Sequence, residues 1–126
     1  MIPDEIAEFP LLIVGAGRMG SAWIEALASR PQAAGGAFVS GVCDPDPRTL
    51  HVTLSLPGIE VQADLEEAIQ AASPRGAILT TPPDTHPDLA WALLSRGIPV
   101  LCDKPLALDE ETARSMFQAA WEARTP

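Results

Sequence analysis

Near its start the chain carries a junction that few architectures accommodate. Four apolar residues, Leu11-Leu12-Ile13-Val14, run straight into Gly15-Ala16-Gly17-Arg18-Met19-Gly20, and Ser21 to Leu27 follow. A continuous apolar run this short reads as a strand buried on both faces, as in a parallel sheet. The glycines stop it. Gly15 permits a tight turn off the strand, Gly17 leaves the backbone open to close approach, and Gly20 lets the next element pack against the strand. Met19, Ala22, Trp23, Ala26 and Leu27 recur at helical spacing and predict a helix with that stripe inward. Strand, glycine turn and helix together aim the free amides of a helix N-terminus at the turn, where an anion is favoured.

The remainder repeats the strand–helix alternation. Pro31 and Gly35-Gly36 close the first unit, and a second strand from Ala37 to Cys43 runs into Asp44. Asp46-Pro47 has the form of a helix start, but His51-Val52-Thr53-Leu54 is weakly helical, which predicts a short or irregular helix before Pro57-Gly58. Ile59 to Gln62 reads as a third strand. Asp64 with Glu67 forms a capping pair opening a helix through Ala72, and Gly76 to Thr80 is the fourth strand. Thr85 with Asp88 forms the next capping pair, for a helix that stops at Gly97. Val100-Leu101-Cys102 ends a fifth strand, and Asp109 caps a last helix with Ala113, Met116, Phe117 and Ala120 on its stripe. Five strands, each followed by a helix, predict an open, doubly wound α/β sheet with helices on both faces. Right-handed crossovers give the order 3-2-1-4-5, the dinucleotide-binding arrangement without its sixth strand. Residues 1–126 form one domain on this reading.

Composition narrows the function. The 126 residues are 47% hydrophobic and 20% charged, an ordinary globular balance. Seventeen acidic against eight basic side chains give a net charge of −9, which repels phosphate backbones and disfavours nucleic acid as a partner. No apolar run approaches the ~18 residues of a membrane span. Met1-Ile2-Pro3-Asp4-Glu5 is acidic where a secretory leader is basic, so the expectation is a cytoplasmic protein with no membrane partner. Two cysteines, Cys43 and Cys102, are too few for a zinc ribbon or a disulfide framework, and no metal site is expected.

Three places can carry chemistry. Asp44 ends the second strand 24 residues beyond Gly20, the spacing of a carboxylate that accepts ribose hydroxyls and repels a 2′-phosphate. That favours NAD over NADP, although Asp before Pro45 is also a turn former, and Arg48 leaves NADP open. Thr80-Thr81-Pro82-Pro83-Asp84-Thr85-His86 leaves the fourth strand beside the switch-point crevice. Its prolines make a stiff wall without backbone donors, while His86 by composition alone is a surface residue in a first helical turn. Lys104 is the only lysine among the eight basic residues and sits at the carboxyl end of the fifth strand. A lysine exchanges a proton where arginine, with its fixed charge, does not, although a solvated surface lysine fits the same position.

Taken in order, Gly15 to Gly20, Val42-Cys43-Asp44, Thr81 to His86 and Gly97-Ile98-Pro99-Val100-Leu101-Cys102-Asp103-Lys104-Pro105-Leu106-Ala107 resemble the N-terminal half of the Gfo/Idh/MocA oxidoreductases, the glucose–fructose oxidoreductase and inositol dehydrogenase family. The resemblance implies an NAD cofactor, or NADP, held by Gly15, Gly17, Arg18, Met19, Gly20 and Asp44. Thr81, Pro82 and His86 would lie on the nicotinamide side, with Asp103 on the nicotinamide ribose. Lys104 would be the catalytic lysine that assists proton transfer at the substrate oxygen. Asp103 stands where the family pattern has glutamate, one methylene longer. Family members continue into a second α/β domain that binds the small-molecule substrate, and nothing in these 126 residues matches it. The expectation is the cofactor half of an oxidoreductase moving hydride between NAD(P) and a secondary alcohol of a sugar or cyclitol, inactive by itself. The alternative is a stand-alone, non-catalytic NAD-binding sensor or subunit. An S-adenosylmethionine-dependent methyltransferase also uses glycine turns but gives Asp103-Lys104-Pro105 no role. The fifth strand, as a sheet edge, is expected to pair with another copy in a homo-oligomer, to be covered by the last helix, or to leave the protein prone to aggregate.

Overall fold

A computed structural model of the chain describes residues 7–30, 36–46, 48–49 and 56–126. Strand β1 (Phe9–Val14) leads through the glycine turn into helix α1 (Arg18–Ala28), and β2 (Ala37–Cys43) follows. Next come β3 (Val61–Gln62), α2 (Leu65–Ala72), β4 (Gly76–Leu79), a 3₁₀ turn at Pro83–Thr85 and α3 (His86–Leu94). Strand β5 (Val100–Cys102) and helix α4 (Glu110–Ala123) complete the order. The sheet runs β3-β2-β1-β4-β5 with every pair parallel, as the alternation predicts.

The apolar run of β1 takes the centre because both of its faces are covered. Leu12 and Val14 point to one side, with Ala77 and Leu79 of β4, under Ala68, Ala72, Ala90, Leu93, Met116 and Ala119 of α2, α3 and α4. Ile13 points to the other side, with Val42 and Ile78, under Ile24, Trp23 and Leu27 of α1. Each fully buried Leu or Ile contributes about 1.5–3 kcal/mol relative to exposure, so this double-sided strand anchors the rim from which the loops emerge.

The local capping signals hold in two helices. Asp64 accepts from the Glu67 amide at 3.1 Å, and Asp109 from the Thr112 amide at 2.8 Å. At α3 the expected cap is absent. Thr85 makes no cap bond, and its hydroxyl donates instead to the Pro82 carbonyl at 2.6 Å and lies 2.7 Å from Thr81 Oγ1, because the 3₁₀ turn has already bent the chain.

Several expectations are corrected. The buried face of α1 is Gly20, Trp23, Ile24 and Leu27, with Ala22 and Ala26 exposed and Met19 45% exposed. On α4, Met116 and Ala119 point inward while Phe117 is 69% exposed. The third strand pairs only at Val61 and Gln62, opposite Val42 and Cys43. The helix expected after Asp46-Pro47 lies outside the described residues, as does most of the Pro31 to Gly36 turn. The edge of β5 is neither bare nor closed. The Val100 amide donates to the Pro126 carbonyl at 2.8 Å, while Leu101 beside it is 55% exposed. Among the described residues, no helix is long and apolar enough to cross a membrane.

Candidate functional site

At the carboxyl rim of the sheet one more rung of backbone hydrogen bonds continues past the strands. The Asp44 amide donates to the Gln62 carbonyl at 2.9 Å, Gly15 to Cys43 at 2.8 Å, Thr80 to Val14 at 2.9 Å, and Asp103 to Leu79 at 2.9 Å. This rung sets Asp44, Gly15, Thr80 and Asp103 in a row across β2, β1, β4 and β5. At ~4.8 Å per strand the row spans roughly 14 Å. Gly17 therefore shares a rim with Lys104, separated by the loop that follows β4.

In the glycine turn each glycine has a different neighbour. Gly15 has φ +97°, and a Cβ there would lie 2.9 Å from the Thr80 carbonyl carbon and oxygen. A Cβ on Gly20 would lie 1.7 Å from the Gly15 carbonyl oxygen, so α1 rests directly on the turn. A Cβ on Gly17 would meet nothing within 4 Å. Neither packing nor a positive φ demands glycine there, and the space above its backbone is open.

The start of α1 is also electrostatically distinct. Helices α2 and α4 open with their own carboxylates, Glu66, Glu67, Glu110 and Glu111, behind the Asp64 and Asp109 caps. Helix α1 has no side-chain cap and no acid in its first turn, and Arg18 is exposed there. Among the described helices, α1 alone opens with neither a side-chain cap nor a first-turn acid, in a chain of net charge −9. Open space above Gly17 and an uncapped helix fit a diphosphate.

Asp44 is half-buried and oriented. Its Oδ2 accepts from the Ala16 amide and its Oδ1 from the Asp46 amide, both at 2.8 Å. A carboxylate has about four acceptor positions, so two remain for hydroxyl donors. Arg48 is gripped by Asp46, with Nη2 2.6 Å from Oδ2 and Nε 2.9–3.0 Å from both oxygens, and this contact holds the Asp46 carboxyl down at about 2.

Across the row, Thr80 stands at the end of the fourth strand as predicted, but its contact with the glycine turn has no signal in the sequence. Its hydroxyl donates to the Gly15 carbonyl at 2.7 Å and so braces the turn from β4, 65 residues away. Thr81 is half-buried and Pro82 exposed. His86 is no surface residue. It is 1% exposed, with Nε2 2.8 Å from the Thr81 carbonyl oxygen and Nδ1 3.1 Å from those of both Pro105 and Leu106. Both ring nitrogens thus face protein oxygens. The half-buried Asp103 turns Oδ1 back onto the Lys104 amide at 2.9 Å, while Lys104 is exposed on the rim ahead of a cis peptide to Pro105. The cysteines are free, with two strands, β1 and β4, between them. Burial, reinforced by Asp44 for Cys43 and Asp103 for Cys102, pushes each thiol up to about 11, so neither is an activated nucleophile.

Comparison with known proteins agrees with this geometry. An inositol 2-dehydrogenase of Arthrobacter sp. (strain FB24) is 37% identical over 108 residues, 85% of this chain and 31% of the relative. The crystal structure of the WlbA dehydrogenase from Chromobacterium violaceum, in complex with NADH and UDP-GlcNAcA, superposes with a TM-score of 0.82 at 28% identity, covering 99% of this chain and 35% of that one. GenD2 from gentamicin A biosynthesis, in complex with NAD, superposes with a TM-score of 0.83 at 28% identity, covering 99% of this chain and 36% of that one. The chain spans about a third of the length of the relatives it matches. Residues 9–125 match the oxidoreductase family with an NAD-binding Rossmann fold, and the chain belongs to that Gfo/Idh/MocA family.

Proposed function

We propose that this chain is the cofactor-holding part of an oxidoreductase that uses NAD to interconvert a secondary alcohol and a ketone on a sugar or cyclitol. The observation that carries this reading is the row Asp44, Gly15, Thr80, Asp103 along one rim. It presents, in order, a ribose acceptor, an anion-binding helix start, a braced wall and a lysine loop.

The residues have separable tasks. The amides opening α1 hold the diphosphate, with Gly15, Gly17 and Gly20 shaping the turn and Arg18 and Met19 flanking it. Asp44 accepts ribose hydroxyls with the positions its two backbone donors leave free, and its charge opposes a 2′-phosphate. Thr81 and Pro82 form the wall on the nicotinamide side, and Asp103 stands next to the nicotinamide ribose. When bound, the nicotinamide supplies a carbon that takes or returns hydride. Lys104 takes the hydroxyl proton in one direction and returns it in the other, a role open to an ammonium that loses its proton and closed to a guanidinium. The inositol 2-dehydrogenase among the relatives and the sugar nucleotide bound by the Chromobacterium protein support a ring alcohol as substrate. The chain matches only about a third of the length of its relatives, so residues 1–126 are expected to turn over negligibly by themselves.

Calorimetric titration of the chain with NAD and with NADP tests the reading. NAD is expected to bind at least tenfold more tightly, a difference of about 1.4 kcal/mol. Equal affinities, or tighter NADP, would overturn the role of Asp44, and binding of neither would overturn the site.

A further inference from the structure

The β4–β5 ladder runs out where the site begins. Its last backbone rung is the Asp103 amide on the Leu79 carbonyl, at 2.9 Å. Beyond it both loops are proline-rich, with Pro82 and Pro83 after β4 and Pro105 after Lys104. Proline has no N–H, so at these positions neither loop can donate to the other. Their carbonyls still need donors where they are buried.

His86 stands in that gap. Its ring is buried between the two loops, with Nε2 2.8 Å from the Thr81 carbonyl oxygen and Nδ1 3.1 Å from those of Pro105 and Leu106. The contacts lie 5, 19 and 20 residues away in sequence, so the ring links segments that share no main-chain bond past Asp103. An apolar side chain would fill this space without meeting any of the three oxygens.

We propose that His86 is a positioning residue for the reaction, tying the wall that follows β4 to the loop carrying Lys104 and so setting their separation. The proposal rests on the dinucleotide reading of the site above. His86 touches the cofactor and substrate only through these loops. With acceptors at both ends, a ring carrying one hydrogen ties one loop and a ring carrying two ties both. Lys104 precedes the tied carbonyls directly, so releasing them frees the lysine loop while the glycine turn, braced by Thr80, stays in place.

This separation of the two ends gives the test. His86→Gln and His86→Phe are titrated with NAD and with ADP-ribose, which lacks the nicotinamide. Both variants are expected to keep ADP-ribose affinity within about twofold of the parent, while NAD affinity falls about tenfold, as one lost buried hydrogen bond implies. Equal losses for both ligands would show a merely structural residue, and unchanged NAD affinity would show no tie; either overturns the proposal. A parent chain that binds neither ligand refutes the reading of the site and the proposal with it. Parent binding matched by the variants refutes the proposal alone. Should the variants not fold, the unmodified chain decides. A proton–nitrogen spectrum is expected to show an N–H at both His86 ring nitrogens, each protected from exchange with water, and a single ring N–H or a freely exchanging ring would overturn the tie.

Discussion

Two glycines of one hexapeptide are expected to respond in opposite ways to the same methyl group. In Gly20→Ala the new Cβ would lie 1.7 Å from the Gly15 carbonyl oxygen and 2.8 Å from its carbon. Ordinary contact begins near 3.4 Å. Both partners are backbone, so no side chain can swing aside, and α1 must lift off the turn. Overpacking of this kind costs about 3 kcal/mol, the upper end of the usual range, or roughly 10 °C in Tm for a domain of this size. In Gly17→Ala the methyl meets nothing within 4 Å, and φ is −75°. Lower unfolded-state entropy stabilises by about 0.4–1 kcal/mol, and loss of glycine at the N-cap costs a similar amount, so Tm should move by no more than about 2 °C. The methyl instead occupies the space assigned to the diphosphate, and NAD affinity should fall at least about tenfold, ~1.4 kcal/mol. Thermal unfolding and calorimetry on the two variants separate these effects. A Gly17→Ala chain that melts as early as Gly20→Ala, or binds NAD as the parent does, would refute the reasoning.

Other consequences can be checked on the same material. Asp109→Ala removes the bonds to the Thr112 amide and hydroxyl and should lower the urea midpoint at neutral pH. Those bonds hold the Asp109 carboxyl below the usual range, so its contribution is present above about pH 3.9 and lost as pH falls through the lowered folded value. The parent–variant difference should therefore shrink in acid, and a difference that grows would contradict the cap. Cys43 and Cys102, each pushed up to about 11, should alkylate slowly at pH 8 in the folded chain and quickly once it is unfolded. Because the raised value favours the protonated folded state, this contribution weakens as pH rises from about 8.5 through 11, and fast alkylation of folded protein at pH 8 would contradict the burial. Leu101→Lys should reduce concentration-dependent self-association in sedimentation, since it charges the half-open edge of β5; a parent that stays monomeric at every concentration would contradict that.

The predicted strand order and the caps at Asp64 and Asp109 agree with the structure because their signals are local or topological. A cap lies three residues from its amide, and a right-handed crossover leaves few ways to order five parallel strands. The Thr85 cap failed for a local reason too, since Pro82-Pro83 nucleates a 3₁₀ turn that occupies the hydroxyl. The helix stripes are only partly legible: Trp23, Leu27 and Met116 face inward as predicted, while Met19 and Phe117 turn outward. Periodicity weighs side chains, and on α1 the closest contact with the sheet is Gly20, which has none. Seating the helix there turns Ile24 inward and Met19 outward.

Residues 11–20 by themselves determined that this chain would form a strand, a turn open to an anion and a helix, because that outcome depends on backbone freedom and on bonds a few residues apart. The positions of Asp44 and Lys104 at strand ends were likewise legible. Tertiary structure alone decided how the far side of the rim is held together. Thr80 reaches a carbonyl 65 residues away, and His86 links two loops that share no main-chain bond past Asp103. A hydrogen bond across that separation leaves no periodic trace in the sequence; it exists only once the parallel sheet has brought the two strand ends side by side.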